Sequence, residues 1–553
     1  MTDVTITRPE FPTFFGGFGF HNSEALFYRL CEKEQFDQKI CKCYREISPG
    51  FCRTFAGYPN WSKESMDTFA DYYERMQKWT DTPIYFAAAK GQLHFNDQER
   101  EEYAENVAQK LDYLINVRGV KQLRYYCYSN EMSMNDWGGL LKDLPLFHKY
   151  HELLFQAFQR HNLNIGLLAT DASPMSNWDS LNYVIDNMRR ITEDLCAHHY
   201  INGTMEQMRD PGLYQWFFDA CREWVLKAAK CDGKRLILGE LGVNVQTAAP
   251  WHLAGVLRDV NNWNYNGQGG FGGLLMAEMA LAAINAGVFA IALWTFCDYP
   301  DPYVCHYSER DSYGKAWGEC ERFISQTQDV KYNKWGMIKW EDDGDYSVRE
   351  QYYALGLVSR YCRRNAKVMD IASDDPLLRI CGLLNRDGSV SVLVINRHTE
   401  MTPIKLRLSL KHIEKQPPFR VYEYDSHNVP MNEFGDLQDF SDVISAPDGK
   451  IEYELKPESL TVFTTDYAER PDVWAKKVVR DGEMLHWDAV KDDLHCYYRV
   501  YRGETPDFVP SRANQIASTV AETLDFGARY LDDAAILNVK GDYYKVLSIN
   551  RKR

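Results

Sequence analysis

The stretch "QLRYYCYSNE" at residues 122–131 joins an aromatic, strand-like run to a polar Asn-Glu pair at its end. A second stretch, "RLILGELGV" at residues 235–243, likewise places a carboxylate, Glu240, after a run of aliphatic residues. Short, continuously apolar runs of this kind are typical of strands that are buried on both faces of a parallel sheet. The fold therefore depends on how many such strands the chain contains.

Strand-like runs alternate with helix-like ones from residue 14 to about residue 365. The runs are "FGGFGFHN" (15–22), "GFCRTFAGY" (50–58), "PIYFAAA" (83–89), "QLRYYCYSNE" (122–131), "NIGLLATDA" (164–172), "DLCAHHYI" (194–201), "RLILGELGV" (235–243) and "VFAIALWTFCD" (288–298). Eight strand–helix units of this length predict a (β/α)8 barrel. A doubly wound open sheet is the rival, but it usually carries a G-x-G-x-x-G turn after an early strand, and "GGFGFHN" lacks that spacing.

Amphipathic helices are predicted between these strands. One begins at Asn96, where Glu99 follows three residues later as in a capping box, and Tyr103, Val107 and Leu111 then recur at helical spacing. Others are predicted around residues 66–76, 212–230 and 272–286. The segment 299–348 interrupts the last strand–helix pair, and its many aromatic residues favour a functional loop over disorder.

The character of the chain changes after about residue 366. "LLRICGLLNRDGSVSVLVIN" predicts two strands joined by a turn at "NRDG", and further strands follow without a helical pattern. We predict a β-sandwich over residues 366–468. A second all-β unit, residues 469–553, resembles a fibronectin type III module in "MLHW", "YYRVYRG" and "YYKVLSIN". The predicted fold class is α/β, a (β/α)8 TIM barrel at residues 1–365 followed by two all-β sandwich domains.

Composition narrows the classes of partner and compartment. A chain of 553 residues with a net charge of −15 repels phosphate backbones, so nucleic acid is not expected as a partner. No run of about 18 apolar residues occurs, so no membrane contact is expected. The first residues lack a basic region followed by an apolar stretch, and the cysteines look like free thiols, which predicts a cytoplasmic protein, or a secreted one if the N-terminus was trimmed. A homo-oligomer stays open.

The cysteines predict neither a metal site nor a cofactor. Most of the fourteen lie within apolar runs, as small core residues do. Cys41-x-Cys43 and Cys305-His306 have no second ligand pair at the spacing that zinc sites use. We therefore expect no cofactor and no bound metal.

The polar residues at the strand ends define the candidate site, because the active sites of (β/α)8 barrels lie at the carboxyl ends of their strands. Two carboxylates, Glu131 after strand 4 and Glu240 after strand 7, are expected to face each other across the barrel mouth. Further candidates, which we expect to bind substrate, are Arg53 on strand 2, Asn130 on strand 4, Asp171 on strand 5, His198 and Tyr200 on strand 6, and Trp294 and Asp298 on strand 8. His21 and Trp137 are weaker candidates.

Paired carboxylates are what the hydrolysis of a glycosidic bond requires. One protonates the leaving oxygen, and the other attacks the anomeric carbon or activates water. His198 and Tyr200 are two residues apart, so their side chains point to the same face of a strand and could hydrogen-bond to Glu240 and hold it ionised. Arg53 is expected to lower the pKa of Glu240 further.

These motifs resemble the retaining glycoside hydrolases of clan A. The features shared with that clan are Asn130-Glu131 ending strand 4, His198-x-Tyr200 on strand 6, Glu240 ending strand 7 and Trp294 on strand 8. The attached β-sandwich resembles the one in families 39, 30 and 51, whereas "GELG" is more similar to family 5, and "YSNEM" lacks the Pro that often follows Asn-Glu in families 5 and 39.

The resemblance implies a role for each residue. Glu131 is expected to be the general acid/base, Glu240 the nucleophile that forms a covalent glycosyl-enzyme, and Tyr200 a hydrogen-bond donor to that nucleophile. Asn130 is expected to contact the sugar 2-hydroxyl, His198 and Arg53 to support the site, and Trp294 to form the floor under the sugar.

The resemblance also implies a carbohydrate substrate, either β-D-glycosides or α-L-arabinosides. The apparent lack of secretion favours small oligosaccharides and exo action, and an endo-acting glycanase is the alternative. Two other classes stay open: a sugar-binding barrel without turnover, and a different barrel chemistry. A Schiff-base enzyme would require a Lys at a strand end, and Lys90 lies beyond its strand. A metal-dependent hydrolase would have only His198, His199 and Asp171 as ligands.

Overall fold

The computed structural model of the chain describes residues 2–9, 13–22, 36–55, 62–88, 96–131, 143–245, 269–300, 332–333, 336–340, 346–400, 403–526 and 543–552. The weaker site candidate Trp137, and Lys90, which was considered only for the Schiff-base alternative, lie outside these ranges. In the described part of the chain, no helix is both long and apolar enough to cross a membrane.

Eight parallel strands close into a barrel, which confirms the predicted fold. The strands, in barrel order, are β1 (Gly17–His21), β2 (Phe51–Phe55), β3 (Ile84–Ala87), β4 (Leu123–Cys127), β5 (Gly166–Ala172), β6 (Asp194–Gly203), β7 (Leu236–Val245) and β8 (Ala290–Leu293). Each of the eight predicted strand-like runs overlaps one of them, and β6 and β7 each extend two residues beyond the predicted end. Strands β6 and β7 are the longest and stay paired up to Gly203 and Val245.

Helices follow the strands around the barrel. They are α1 (Lys42–Ile47, preceded by a π-helical turn at Phe36–Cys41), α2 (Lys63–Met76), α3 (Asp97–Asp112), α4 (Leu144–Arg160), α5 (Ser180–Tyr183), α6 (Gly212–Lys230), α7 (Gly270–Ala286) and α8 (Glu350–Tyr361). The capping box at Asn96 and Glu99 is present, with both reciprocal hydrogen bonds. Helix α7 is buried all round, because α6, α8 and a sandwich strand pack against it.

The lower part of the barrel interior is an apolar plug. Side chains from alternate positions on seven strands meet there and exclude water: Phe51, Tyr85, Ala87, Cys127, Leu168, Cys196, Ile237, Ala290 and Ala292. Filled interiors of this kind are usual in eight-stranded parallel barrels, and the active sites of such barrels lie above the filled part, at the carboxyl ends of the strands.

A β-sandwich follows the barrel, and the N-terminus of the chain is part of it. One sheet contains Thr13–Phe14, Lys367–Val368, Leu378–Leu384, Val390–Asn396, Ser459–Thr464, Phe419–Asp425 and Asp442–Ile444, and the other contains Asp370–Ser373, Thr2–Thr7, Ile404–Lys411 and Lys450–Leu455. The strand Thr2–Thr7, which the sequence grouped with the barrel at residues 1–365, instead pairs with two sandwich strands. Pairing between segments so far apart leaves no local pattern in the sequence.

The C-terminal unit consists of two antiparallel sheets around a core that includes Trp487 and Tyr498. Its strands are Val473–Trp474, Tyr543–Asn550, His495–Gly503 and Gln515–Thr519 in one sheet, and Val479–Asp481, Met484–His486 and Thr523–Asp525 in the other. The resemblance to a fibronectin type III module stays a prediction. Of the segment 299–348, the structure describes two short antiparallel pairs, Tyr299–Pro300 with Tyr332–Asn333 and Ile338–Trp340 with Tyr346–Val348.

Candidate active site

Two β-bulges direct the carboxylates of Glu240 and Asp171 into the barrel mouth. In β7, Ile237 packs in the interior plug and Leu238 packs outside, so strict alternation would send Glu240 outward. However, Leu238 pairs with Ala197 and Glu240 pairs with His198, which leaves Gly239 as an extra residue. This insertion shifts the alternation by one position and brings Glu240 inward, opposite His198.

Strand β5 contains the second bulge. Thr170 pairs with Cys196 and Ala172 pairs with Ala197, so Asp171 is the extra residue there. Its φ of 59° lies in the left-handed region, which Asp tolerates better than most residues. The bulge turns the Asp171 carboxylate into the barrel, whereas Thr170 turns outward to the Ser180 hydroxyl at 3.0 Å.

Arg53 lies at the centre of the polar cluster and is fully buried. One of its guanidinium nitrogens donates to Glu240 Oε1 at 2.7 Å. The other donates to Asn130 Oδ1 at 2.6 Å and to Asp171 Oδ2 at 3.0 Å. A planar guanidinium is suited to such multiple contacts, and here it links the ends of β4, β5 and β7.

His198 connects the two candidate catalytic carboxylates. Its Nδ1 lies 3.2 Å from Glu131 Oε1 and 3.7 Å from Glu240 Oε1. The sequence-based expectation was a hydrogen bond to Glu240, whereas the nearer partner is Glu131. Glu131 follows β4 with a left-handed φ of 48°, and its backbone N–H donates to the carbonyl of Asp171 at 3.1 Å. The end of β4 is thereby tied to the bulge in β5.

Tyr200 donates its hydroxyl hydrogen to Glu240 Oε2 at 2.5 Å. Glu240 thus accepts from Arg53 on one oxygen and from Tyr200 on the other. One carboxylate oxygen of Glu131 and one of Glu240 lie within 4.8 Å of each other. The side chain of Glu131 is 14% exposed and that of Glu240 is 4% exposed, whereas those of Arg53 and His198 are fully buried. The carboxylates thus form the accessible face, with the two cations behind them.

The charges in the cluster shift one another's pKa values. Burial alone would lower the pKa of His198, but the carboxylates of Asp171 and Glu240 outweigh burial and raise it to about 9. Burial would likewise lower the pKa of Arg53, and Glu240 and Asp171 raise it well above its usual value instead. Burial would raise the pKa of Asp171, but His198 and Arg53 hold it well below its usual range. His198 is therefore an imidazolium at neutral pH.

The expected direction of the Glu240 shift was wrong. Arg53 was expected to lower the pKa of Glu240, and both His198 and Arg53 do act in that direction. Burial is the larger effect, and together with the negative charge of Glu131 it leaves the pKa of Glu240 above its usual value. The sequence predicted that Arg53 acts on Glu240, but it did not predict that the Glu240 carboxylate is buried.

Aromatic rings form one wall of the mouth. The rings of His21 and Trp294 stack with centroids 4.2 Å apart, and Phe55 contacts both rings, at 4.6 Å and 5.7 Å. Burial and the positive charge of Arg53 lower the pKa of His21 well below its usual value, so this ring is neutral. Trp294 is partly buried and packs against the core.

Asp298 contacts Arg349 and Gly336, which do not belong to this cluster. Its two oxygens accept from Arg349 at 2.8 Å and 2.6 Å, and Oδ1 also accepts from the backbone N–H of Gly336 at 2.8 Å. Arg349 immediately precedes α8, so this buried ion pair ties the segment after β8 to that helix. Its geometry favours a structural role over the predicted contact with substrate.

Two sets of side chains in the described ranges have the composition of metal ligands. They are Asp171 with Cys196 and His198, and Glu131 with His198 and Glu240. Arg53 already contacts Asp171 and Glu240, and the pKa of the shared member, His198, is raised. Cations of the protein itself thus lie where a metal would have to bind, which favours an ion-pair network over a metal site.

The sequence did not identify Gly239 or Cys196 as residues of the site. A Cβ at Gly239 would lie 2.8 Å from Cys196 Sγ, 2.8 Å from His198 Nε2 and 3.1 Å from Asp171 Oδ1. Only glycine fits there, and "LGELG" hinted at this by placing a glycine inside a strand. Cys196, which donates its thiol hydrogen to Asp171 Oδ1 at 2.8 Å, looked like an ordinary core residue.

Comparison with known proteins places the fold in one class. No family model and no curated protein sequence matches the chain. Among solved structures, a family 30 endoxylanase from Clostridium papyrosolvens C71 aligns with a TM-score of 0.53 at 13% identity, over 84% of this chain and 99% of the other. An α-L-arabinofuranosidase from Thermotoga maritima aligns with a TM-score of 0.56 at 13% identity, over 84% and 99%.

A family 51 α-L-arabinofuranosidase from Bifidobacterium longum is similar to the same degree, with a TM-score of 0.56 at 14% identity over 84% of this chain and 99% of the other. These enzymes differ in their named activities, so the shared property is the fold. The chain has the fold of the clan A glycoside hydrolases, an eight-stranded barrel with additional β domains. Activity has to be argued from the site itself.

Proposed function

We propose that this protein is a retaining glycoside hydrolase in which Glu240 is the nucleophile and Glu131 the general acid/base. The observation that carries the proposal is the separation of the two carboxylates, whose nearest ligand oxygens lie within 4.8 Å. Retaining enzymes hold their carboxyl groups about 5–5.5 Å apart, whereas inverting enzymes leave about 6.5–9.5 Å for a water molecule.

In the first step Glu240 attacks the anomeric carbon while Glu131 gives its proton to the leaving oxygen. The bond from sugar to leaving group breaks, and a covalent glycosyl-enzyme forms on Glu240. Arg53 and Tyr200 each donate to one oxygen of Glu240, which fixes the plane of the carboxylate before the attack. Holding the nucleophile in one orientation lowers the entropic part of the barrier.

In the second step Glu131, now ionised, removes a proton from a water molecule, which attacks the same anomeric carbon and releases the sugar with retained configuration. The His198 imidazolium lies 3.2 Å from Glu131 and donates to the carboxylate that forms between the two steps. No proton leaves His198 in either step, because its role is to stabilise negative charge.

Sugar recognition is assigned to the residues around the two carboxylates. The Asn130 carbonyl oxygen accepts from Arg53, which orients the amide so that its NH2 group is the donor offered to the sugar 2-hydroxyl. Trp294, stacked on His21, provides an apolar floor for the sugar ring. The substrates proposed are β-D-glycosides or α-L-arabinosides of small oligosaccharides, cleaved by exo action, and an endo-acting glycanase is the alternative.

The test is chemical rescue of the nucleophile. Wild-type protein and Glu240→Ala are assayed on a panel of aryl β-D- and α-L-glycosides with EDTA present, and azide is added to the variant. We expect the wild type to release phenol from at least one sugar, and azide to restore the variant by forming a glycosyl azide of inverted configuration. Undiminished activity of Glu240→Ala would overturn the assignment, and sugar binding without any turnover would favour a sugar-binding barrel.

A further inference from the structure

Asp171 has no access to a substrate, although it belongs to the cluster at the barrel mouth. Its side chain is fully buried, beneath Arg53 and His198. It was predicted to bind substrate, but its carboxylate faces only protein groups among the contacts described. Its role therefore has to be found in the residues that it holds.

Arg53 and His198, the two cations of the site, both contact the carboxylate of Asp171. Asp171 Oδ2 lies 3.0 Å from Arg53, whose other nitrogen contacts Glu240 at 2.7 Å. Asp171 Oδ1 lies 3.0 Å from His198 Nε2, and the other ring nitrogen lies 3.2 Å from Glu131. Each catalytic carboxylate is thus connected to Asp171 through one cation, and the Cys196 thiol donates to Oδ1 from below at 2.8 Å.

We propose that Asp171 is a positioning residue whose carboxylate anchors Arg53 against the nucleophile and keeps His198 as an imidazolium beside the acid/base. The catalytic consequence of this inference rests on the proposed function. The contacts of Asp171 with Arg53 and His198 do not depend on it. Glu131 has to alternate between carboxylic acid and carboxylate, and a permanent donor beside it stabilises the carboxylate in both steps. Without Asp171 the imidazolium would lose the counter-charge on its far side.

The groups that face His198 come from five other elements. They are Asp171 on β5, Glu240 on β7, Glu131 after β4, Arg53 on β2 and His21 on β1, and Cys196 lies on the same strand. Arg53, a second cation paired with Asp171, opposes a positive charge on His198, the carboxylates favour it, and His21 is neutral. Asp171 is the anion that acts on His198 most strongly, so its removal is expected to change the titration of His198 most.

The experiment compares Asp171→Asn with Asp194→Asn. Asp194 is also a buried barrel aspartate paired with an arginine, Arg235, but it lies at the start of β6, at the opposite end of the barrel. Histidine ring nitrogens are followed by NMR as pH is varied, with the His198 signals assigned through His198→Gln. Turnover of the aryl glycoside and the unfolding midpoint are measured on the same samples.

We expect Asp171→Asn to lower the titration midpoint of His198 by about 1–3 pH units and kcat/KM by about 10²-fold, as misplacement of catalytic groups does. Asp194→Asn is expected to reduce stability while the His198 titration stays at its wild-type position. A folded Asp171→Asn protein with wild-type titration and activity would overturn the proposal.

A measurement on the wild type covers the case in which Asp171→Asn fails to fold. Both ring nitrogens of His198 should carry protons at pH 7.5, and a neutral His198 at that pH would overturn the proposal without any variant. Because this titration does not depend on turnover, it separates failure of the anchor from failure of the proposed function, which the azide experiment tests.

Discussion

Two clusters of buried charge among the described residues can be compared, one at the barrel mouth and one where the barrel, the sandwich and the C-terminal unit meet. The second, called here the junction cluster, consists of Lys42 and Glu46 of α1, Asp436 of the sandwich and Arg499 of the C-terminal unit. Lys42 contacts Asp436 at 2.5 Å and Glu46 at 2.7 Å, and Arg499 contacts Asp436 at 3.1 Å. Both clusters thus place carboxylates against cations away from water.

The clusters differ in the balance of their charges. The junction cluster pairs two cations with two carboxylates, whereas the mouth has two cations, Arg53 and His198, for three carboxylates, Asp171, Glu240 and Glu131. Burial would raise the pKa of Asp436, but Lys42 and Arg499 hold it well below its usual range. The pKa of Glu240 is raised instead. Carboxylates whose pKa is perturbed by burial and by a neighbouring like charge are typical of functional sites.

The two clusters also differ in what covers them. Asp436 accepts further hydrogen bonds from Ser518 at 2.7 Å and Gln515 at 2.8 Å, so donors from the barrel and the C-terminal unit saturate its oxygens. The C-terminal unit thereby braces α1 of the barrel, with Tyr497 donating to Glu46 at 2.8 Å. In the mouth, Glu131 is partly exposed. The comparison predicts that substitutions at the mouth affect catalysis in addition to stability, whereas those at the junction affect stability alone.

The largest effect is expected for Glu131→Gln. Loss of the general acid should reduce kcat/KM by about 10²–10⁴-fold on glycosides with poor leaving groups, and much less on activated aryl glycosides, whose leaving groups need no proton. The unfolding midpoint should stay close to the wild-type value. Glu433→Gln is the matched control, because Glu433 also follows an Asn but lies exposed in the sandwich. Equal losses on both substrate classes would contradict the assignment of Glu131.

The next effect concerns the junction. Asp436→Ala should lower the free energy of unfolding by about 3–5 kcal/mol, because it leaves buried Lys42 and Arg499 without their shared carboxylate. Asp439→Ala should cost no more than about 1 kcal/mol, since Asp439 also pairs with Arg499 but is 54% exposed. Chemical denaturation measures both. Loss of kcat/KM in still-folded Asp436→Ala would break the division between the two clusters.

A third prediction concerns the pH dependence of stability. It tests the mouth cluster without any substitution in the junction cluster. The pKa of His198 is raised from 6.5 to about 9, so its stabilising protonation is complete below about pH 6.5 and is lost as pH rises through 9. The free energy of unfolding should therefore fall by up to about 3 kcal/mol over that interval, as measured by urea denaturation at each pH.

The matching controls are His198→Gln and His151→Gln. The first should remove the decline between pH 6.5 and 9. The second should leave it unchanged, because burial lowers the pKa of His151 to about 3 and that ring stays neutral throughout the interval. A decline that persists in His198→Gln would show that other groups cause it.

The smallest effect is expected for Gly239→Ala, which adds one methyl group behind the mouth. The new Cβ would press on Cys196, His198 and Asp171, so we expect a loss of about 1–3 kcal/mol of stability and a drop in kcat/KM larger than that loss explains. Gly269→Ala is the control, since its nearest atom would be Glu350 Oε2 at 3.4 Å. Wild-type activity in Gly239→Ala would show that the bulge tolerates displacement.

Local patterns in the sequence were enough for the elements and for much of the site. Each of the eight strands overlaps a predicted apolar run, and the capping box at Asn96 predicted the start of α3, because burial on both faces and helix capping are properties of neighbouring residues. Asn130, Glu131 and Glu240 could be singled out because they end apolar strand-like runs and because barrel topology brings strand ends together.

Properties that depend on register and distance were decided by the tertiary structure. The bulges at Asp171 and Gly239 reverse the alternation of β5 and β7, and only the pairing with β6 defines them. The strand Thr2–Thr7 belongs to the sandwich, which local sequence patterns could not show because its partner strands lie far along the chain. Asp298 was predicted to bind substrate from its place at a strand end, and the sequence did not show that its carboxylate pairs with Arg349. A sequence determines which residues prefer a strand end, whereas the closed barrel alone determines which charges then lie within 3 to 5 Å of one another.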